Sequence, residues 1–133
     1  MRDATDPTPC STPYSGAEVI VTTTAEHTTV AVAGELDLTV IDRLQARLTE
    51  ELQLQPAALI IDLACVEFCS CGGLAVLLHA VTTAHDAGIP CAIVAASRPV
   101  LRPVRLLNLD RNLPIHPDRA DVEQWLSLLA RLR

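Results

Sequence analysis

Residues 57–63, AALIIDL, form a short, continuous apolar run with β-branched residues at its centre, and Pro56 closes off whatever precedes it. Without alternation between apolar and polar positions, such a run suits a strand buried on both faces. Residues 89–96, IPCAIVAA, repeat the pattern. Between the two runs, Leu74, Leu77, Leu78 and Val81 recur at helical spacing, and Gly88 stands where a helix C-terminal cap belongs. Two buried strands joined through a helix imply parallel pairing with a crossover connection, and this alternation restricts the chain to an α/β layer architecture.

The flanking segments fit the same plan. Residues 18–24 (EVIVTTT) and 28–33 (TTVAVA) are β-branched runs separated by Ala25, Glu26 and His27, which predicts one antiparallel pair. Gly34-Glu35-Leu36-Asp37 ends the second run. A helix follows in which Ile41, Leu44, Leu48 and Leu52 share a face, with Thr39 and Asp37 both placed to cap it. Pro99 and Pro103 do not fit together inside one regular helix, so a short helix is expected to start near Pro103. Residues 113–116 predict a brief last strand. Val122, Trp125, Leu126, Leu129 and Leu132 mark a final helix. Residues 1–16 hold three prolines and no apolar periodicity, which predicts a disordered leader before a domain over 17–133.

Composition removes several function classes. The chain has 133 residues, half of them hydrophobic but almost none aromatic, so the core is aliphatic. Its net charge is −6, and all ten basic residues are arginines. That balance argues against nucleic-acid binding, which needs a basic face to displace phosphate counterions. No apolar run reaches the ~18 residues of a membrane span, and the N-terminus lacks the apolar centre of a signal peptide. A cytoplasmic protein is expected. Five cysteines, an odd number, argue against a structural disulfide framework.

Residues 68–74, FCSCGGL, lie where the central strand hands over to a helix. With AVAGELDL (31–38) and IIDLACVEFCSCGGLAVLL (60–78), the chain resembles the STAS domain of bacterial anti-sigma factor antagonists over roughly residues 18–131. Such proteins read D-L-S-x-V-x-F-x-D-S-S/T-G-L through the second segment, and Asp62, Leu63, Val66, Phe68, Gly73 and Leu74 agree with that pattern. The resemblance implies a mostly parallel sheet with one antiparallel N-terminal strand and helices on one face. It implies a partner, an anti-sigma factor of the GHKL-type serine kinase class. In this family the unphosphorylated antagonist captures that partner, and phosphorylation of the serine in D-S-S/T-G ends the capture. Here Ser70 falls on the family's Asp, Cys71 on the phosphoacceptor and Gly72 on the next hydroxyl residue. The expectation is an anti-sigma factor antagonist without the usual switch, binding its partner through Glu35, Asp37, Ser70, Cys71, Gly72 and Gly73. The alternative is a STAS scaffold in a larger signalling complex. Homodimerisation is left open.

The residues allow four readings of the thiols. A helix start that suits a phosphate also stabilises a thiolate, which makes Cys71 a candidate for oxidation, with Cys65 pairing locally to Cys69 or Cys71. Against this, Cys69 and Cys65 suit core positions, and Cys71 is the nearest isostere of serine. Cys91 starts the next strand, at the opposite edge of a parallel sheet. Zinc would need a fourth ligand, for which His116 is only a distant candidate, so no metal and no cofactor are expected. A cysteine enzyme needs a base beside its nucleophile, but His79 lies roughly 12 Å along the helix from Cys71, and neither His27, His85 nor His116 is brought close by spacing. A binding module rather than an enzyme is expected.

Overall fold

The computed structural model describes residues 18–132, apart from the side chain of Leu38. The leader expected over 1–16 lies outside the described residues. Five strands form one sheet in the order β1-β2-β3-β4-β5: β1 (Glu18–Thr23), β2 (Thr28–Leu36), β3 (Leu59–Cys69), β4 (Cys91–Val94) and β5 (Ile115–His116). The β1–β2 pair is antiparallel and every other pairing is parallel. The helices are α1 (Leu38–Gln53), α2 (Cys71–Asp86), α3 (Arg98–Leu106) and α4 (Arg119–Leu132). The mixed α/β sheet expected from the alternating runs is therefore present, including its single antiparallel pair.

One face of the sheet carries the main core. Val30, Val32 and Leu36 from β2 and Leu59, Ile61 and Leu63 from β3 meet Leu44 and Leu48 of α1, Leu74 and Leu77 of α2, and Val100 and Val104 of α3. Each fully buried leucine among them contributes about 2 kcal/mol of transfer free energy. The fourth helix departs from the one-face expectation. Val122, Trp125 and Leu126 of α4 pack across the other face, on Ile60, Ala92 and Val94. Strand alternation dictates this, because Ile60 points away from Leu59 and Ile61. β3 and β4 are apolar on both faces and so need cover on both.

Two local results differ from the sequence expectation. β3 continues six residues beyond Leu63, and its pairing with β2 slips twice, between Ala31 and Ala33 and between Gly34 and Glu35. Each slip is a bulge that places an extra β3 residue against β2. At the first, the Asp62 side chain accepts from Ala64 N–H at 3.0 Å, giving the displaced backbone group a partner. The second difference is α3, which begins at Arg98 and not near Pro103. Pro99 occupies its first turn, where no N–H is needed. Pro103 sits inside, and burial of Val100 and Val104 offsets the hydrogen bond it forgoes.

Candidate partner-binding surface

Strands β2, β3 and β4 run parallel, so their C-terminal ends share one edge of the sheet, and each leads directly into a helix start. The positive ends of three helix dipoles are thereby set along that edge. At the first, Asp37 is the N-cap of α1. Its carboxylate accepts from Thr39 N–H at 3.0 Å and from the Thr39 hydroxyl at 2.7 Å. The hydroxyl hydrogen bond, then the backbone one, holds the Asp37 carboxyl below the usual carboxylate range. Thr39 is thus the donor to the cap and not the cap itself. Gly34 takes a φ of +94° just before Glu35, a conformation that glycine adopts without strain, and Glu35 is exposed.

At the second helix start, Ser70 is the N-cap of α2, its Oγ accepting from Gly73 N–H at 3.1 Å. Ser70 N–H donates to the Leu36 carbonyl at 3.1 Å, and Glu35 and Leu36 pair in register with Phe68 and Cys69. The GELD segment and the 70–73 turn are therefore joined into one surface, with Glu35 and Cys71 exposed on it. Ser70 and Gly72 are half-buried. Gly73 is buried, and a Cβ there would stand 2.8 Å from Leu36 Cδ2, so it allows the close approach of α2 to β2 and offers no contact surface. Sequence reasoning missed the roles of Leu36 and Ile41, the side chains nearest the glycine pair: Ile41 was marked as core by helical periodicity without showing what it presses against, and Leu36 was read as part of the segment that ends β2.

The thiols separate sharply. Cys69 is buried, and burial, then the charge of neighbouring Cys71, pushes its thiol up to about 11. Burial alone pushes Cys91 up to about 12. Cys69, Cys71 and Cys91 are free, whereas Cys65 is disulfide-bonded. The local pairing of Cys65 with Cys69 or Cys71 is thus not formed. Four residues of extended strand span roughly 13 Å, well beyond the ~7 Å between bridged Cα atoms. Cys91 pairs in register with Leu59, at the far edge from Cys71, as the parallel arrangement requires.

His79 and His85 are exposed along α2, and His116 Nδ1 lies 2.7 Å from Asp121 Oδ2, its ring 5.5 Å from that of Trp125. No group of three or more His, Cys, Asp or Glu able to hold a metal ion occurs among the described residues. No described helix is long and apolar enough to cross a membrane. At the third helix start, Ser97 makes no side-chain cap bond, and Arg98, Arg102 and Arg105 are exposed beyond it.

Comparison with known proteins bears on what such an edge is for. The family model for the STAS domain matches residues 18–122. The chain belongs to the STAS domain family. This STAS protein is 34% identical over 100 residues to the anti-sigma-F factor antagonist RsfB of Mycobacterium tuberculosis, covering 73% of this chain and 81% of that one. A crystal structure of an anti-sigma factor antagonist from Mycobacterium paratuberculosis superposes with a TM-score of 0.74 at 26% identity, covering 90% of this chain and 97% of that chain. The Bacillus cell fate determinant SpoIIAA in its phosphorylated form shares the fold, with a TM-score of 0.64 at 13% identity, covering 80% of this chain and 98% of that chain.

Proposed function

We propose that this STAS protein is an anti-sigma factor antagonist whose capture of its partner is not switched off by serine phosphorylation at the usual position. The observation that carries the reading is the hydrogen bond from Ser70 N–H to the Leu36 carbonyl, which makes the Glu35–Asp37 loop and the exposed Cys71 a single continuous edge. Relatives at 34% and 26% identity are named anti-sigma factor antagonists, and the partner class is taken from them. In this reading Cys71 stands at the phosphoacceptor position, and a serine kinase cannot make a phosphoserine there. Ser70 is a poor substitute. Its hydroxyl is half-buried and engaged as the α2 cap, so presenting it to ATP would undo the helix start. Cys71, exposed within the docking edge, is also the group through which oxidation would reach the partner contact.

The test is calorimetric titration with an anti-sigma factor of the GHKL serine kinase class, followed by intact-mass measurement after incubation with ATP. The expected results are tight binding, a loss of about tenfold or more in Cys71→Trp, corresponding to at least ~1.4 kcal/mol, and no added phosphate. Undiminished binding by Cys71→Trp would remove the docking edge from the reading, and phosphate on Ser70 would remove the missing switch.

A further inference from the structure

Val100 and Val104 are the buried residues of α3, and they turn one side of that helix into the main core. The opposite side carries Arg98, Arg102 and Arg105, all exposed. At the pitch of an α-helix the three fall within an arc of roughly 60° and extend over about 10 Å of its axis. Leu101, half-buried, and Leu106, 71% exposed, flank this row on either side. With Ala96 these side chains line a shallow cleft of about 450 Å³.

No contact among the described residues accounts for the row. The ion pairs there use Arg47, His116 and Arg119, and none of Arg98, Arg102 and Arg105 reaches a carboxylate among the described residues. Arg98 and Arg102 are four apart, and Arg102 and Arg105 three apart, spacings at which like charges on a helix repel. Arg105 suits the negative end of the helix dipole. Arg98 stands at the positive end, where the first turn holds no acidic residue to offset it and Ser97 adds no side-chain cap. In a chain of net charge −6, three arginines are thus gathered where they weaken the free helix. A ligand of opposite charge relieves that repulsion, and the planar fork of arginine suits carboxylates.

We infer that this face of α3 is a docking surface for an acidic amphipathic helix of a partner protein. Carboxylates at matching three- and four-residue spacing meet the arginine row, and the apolar side chains beside them cover Leu101 and Leu106. A polypeptide fits better than other polyanions. A membrane-surface helix buries its apolar side in lipid, whereas the apolar side of α3 is already taken up by the core. A nucleic-acid strand carries its charge beyond the row onto a surface that is acidic on balance, and the row holds no aromatic ring for a base. Helix α3 packs against β3, whose end leads into the Ser70–Gly73 turn, so the row adjoins the proposed docking edge. Its charge chemistry stands independently of the partner class proposed there.

The probe is a synthetic helical peptide with glutamates at i, i+4 and i+7 flanked by leucines, titrated into the isotopically labelled full chain, with its glutamine counterpart as control. The glutamate peptide should shift the amide signals of Leu101, Arg102, Arg105 and Leu106, and the glutamine peptide should not. Arg102→Glu should weaken binding at least tenfold. It should unfold at no lower a temperature than the natural chain, because its carboxylate stands four residues from Arg98 and three from Arg105, so that lost binding is not lost folding. No shift, shifts confined to another surface, equal responses to both peptides, or undiminished binding by Arg102→Glu would overturn the inference. A lower unfolding temperature in Arg102→Glu would overturn it as well, since the arginine would then be serving the fold. Phosphatidylglycerol vesicles complete the test: a chain that sediments with them and does not respond to the peptide would assign the row to a lipid surface instead.

Discussion

Gly72 and Gly73 are neighbours of the same type at the start of α2, yet their surroundings make them unequal. A Cβ on Gly72 would meet Ile41 Cδ1 at 2.8 Å, the free end of a side chain at the core's rim. A Cβ on Gly73 would meet Leu36 Cδ2 at 2.8 Å and Cγ at 3.0 Å, with Cys69 Sγ at 3.3 Å, in a place where Leu36 has no exposure at all. Ile41 can swing aside. Leu36 cannot move without opening the contact between β2 and α2. Gly72→Ala should therefore change unfolding free energy by less than about 1 kcal/mol, since the better helix propensity of alanine offsets the crowding. Gly73→Ala should cost about 1–3 kcal/mol, the range for overpacking a filled core. Urea unfolding of the two variants decides it, and equal losses would mean that Leu36 yields as readily as Ile41. The same comparison explains why a glycine pair here is not simply an open door for a partner: one glycine holds the fold together.

At the scale of elements, β3 is the strand that the rest depends on, and its two bulges carry it from the core to the edge of the sheet where α1 and α2 begin. Asp62 secures the first bulge through Ala64 N–H and also takes a weaker contact from Arg119 at 3.4 Å. Arg119 is exposed at its end of this long contact, so the pair contributes little. Asp62→Ala should therefore cost about 1 kcal/mol, the net worth of the bulge hydrogen bond, whereas Asp62→Asn keeps an oxygen acceptor and should stay close to the natural chain. Denaturant midpoints of the two variants separate these outcomes, and equal loss in both would shift the role to the Arg119 pair. These bulges also mark where sequence reading stops. The β-branched runs, Pro56 and Gly88 made the order of strands and helices legible, and the grouping of Glu35, Asp37, Ser70 and Cys71 came from the family resemblance and not from residue spacing. The stretch from Ala64 to Phe68 was not legible as strand, because each bulge resets the alternation by which a half-buried strand is recognised. Cys65 was grouped with Cys69 and Cys71 at the strand's end for the same reason, whereas β3 runs on to Cys69 and keeps Cys65 and Cys69 four strand residues apart. The α3 start failed differently, since tertiary burial of Val100 and Val104 overrode the local cost of Pro103.

For the molecule as a whole, three shifted groups among the described residues, at the two edges of the sheet, contribute to how stability depends on pH. Asp37 has a carboxyl held below its ordinary value of 3.8 by the Thr39 hydrogen bonds. Its contribution is therefore complete above that value and is lost as pH falls through the lower folded one. The two buried thiols work in the opposite sense. Cys69 near the start of α2 and Cys91 at the opposite edge of the sheet are raised from an ordinary 9.0 to about 11 and about 12. Between those limits the unfolded chain releases protons that the folded chain retains. The unfolded state then binds fewer protons, and unfolding free energy must fall as pH rises. The stabilisation is intact below pH 9.0 and is withdrawn progressively towards about 12, with Cys91 responsible for the uppermost part. Cys91→Ala removes one titrating group while leaving only a small gap at a half-buried strand end, so it should lower stability slightly at neutral pH yet flatten the alkaline decline. Cys71→Ala, at an exposed helix start, should leave the slope from buried Cys91 in place. Urea midpoints collected from neutral pH to about 11 for the natural chain and both variants test this directly. A decline as steep in Cys91→Ala as in the natural chain would mean that the far edge of the sheet opens before its thiol is required to ionise.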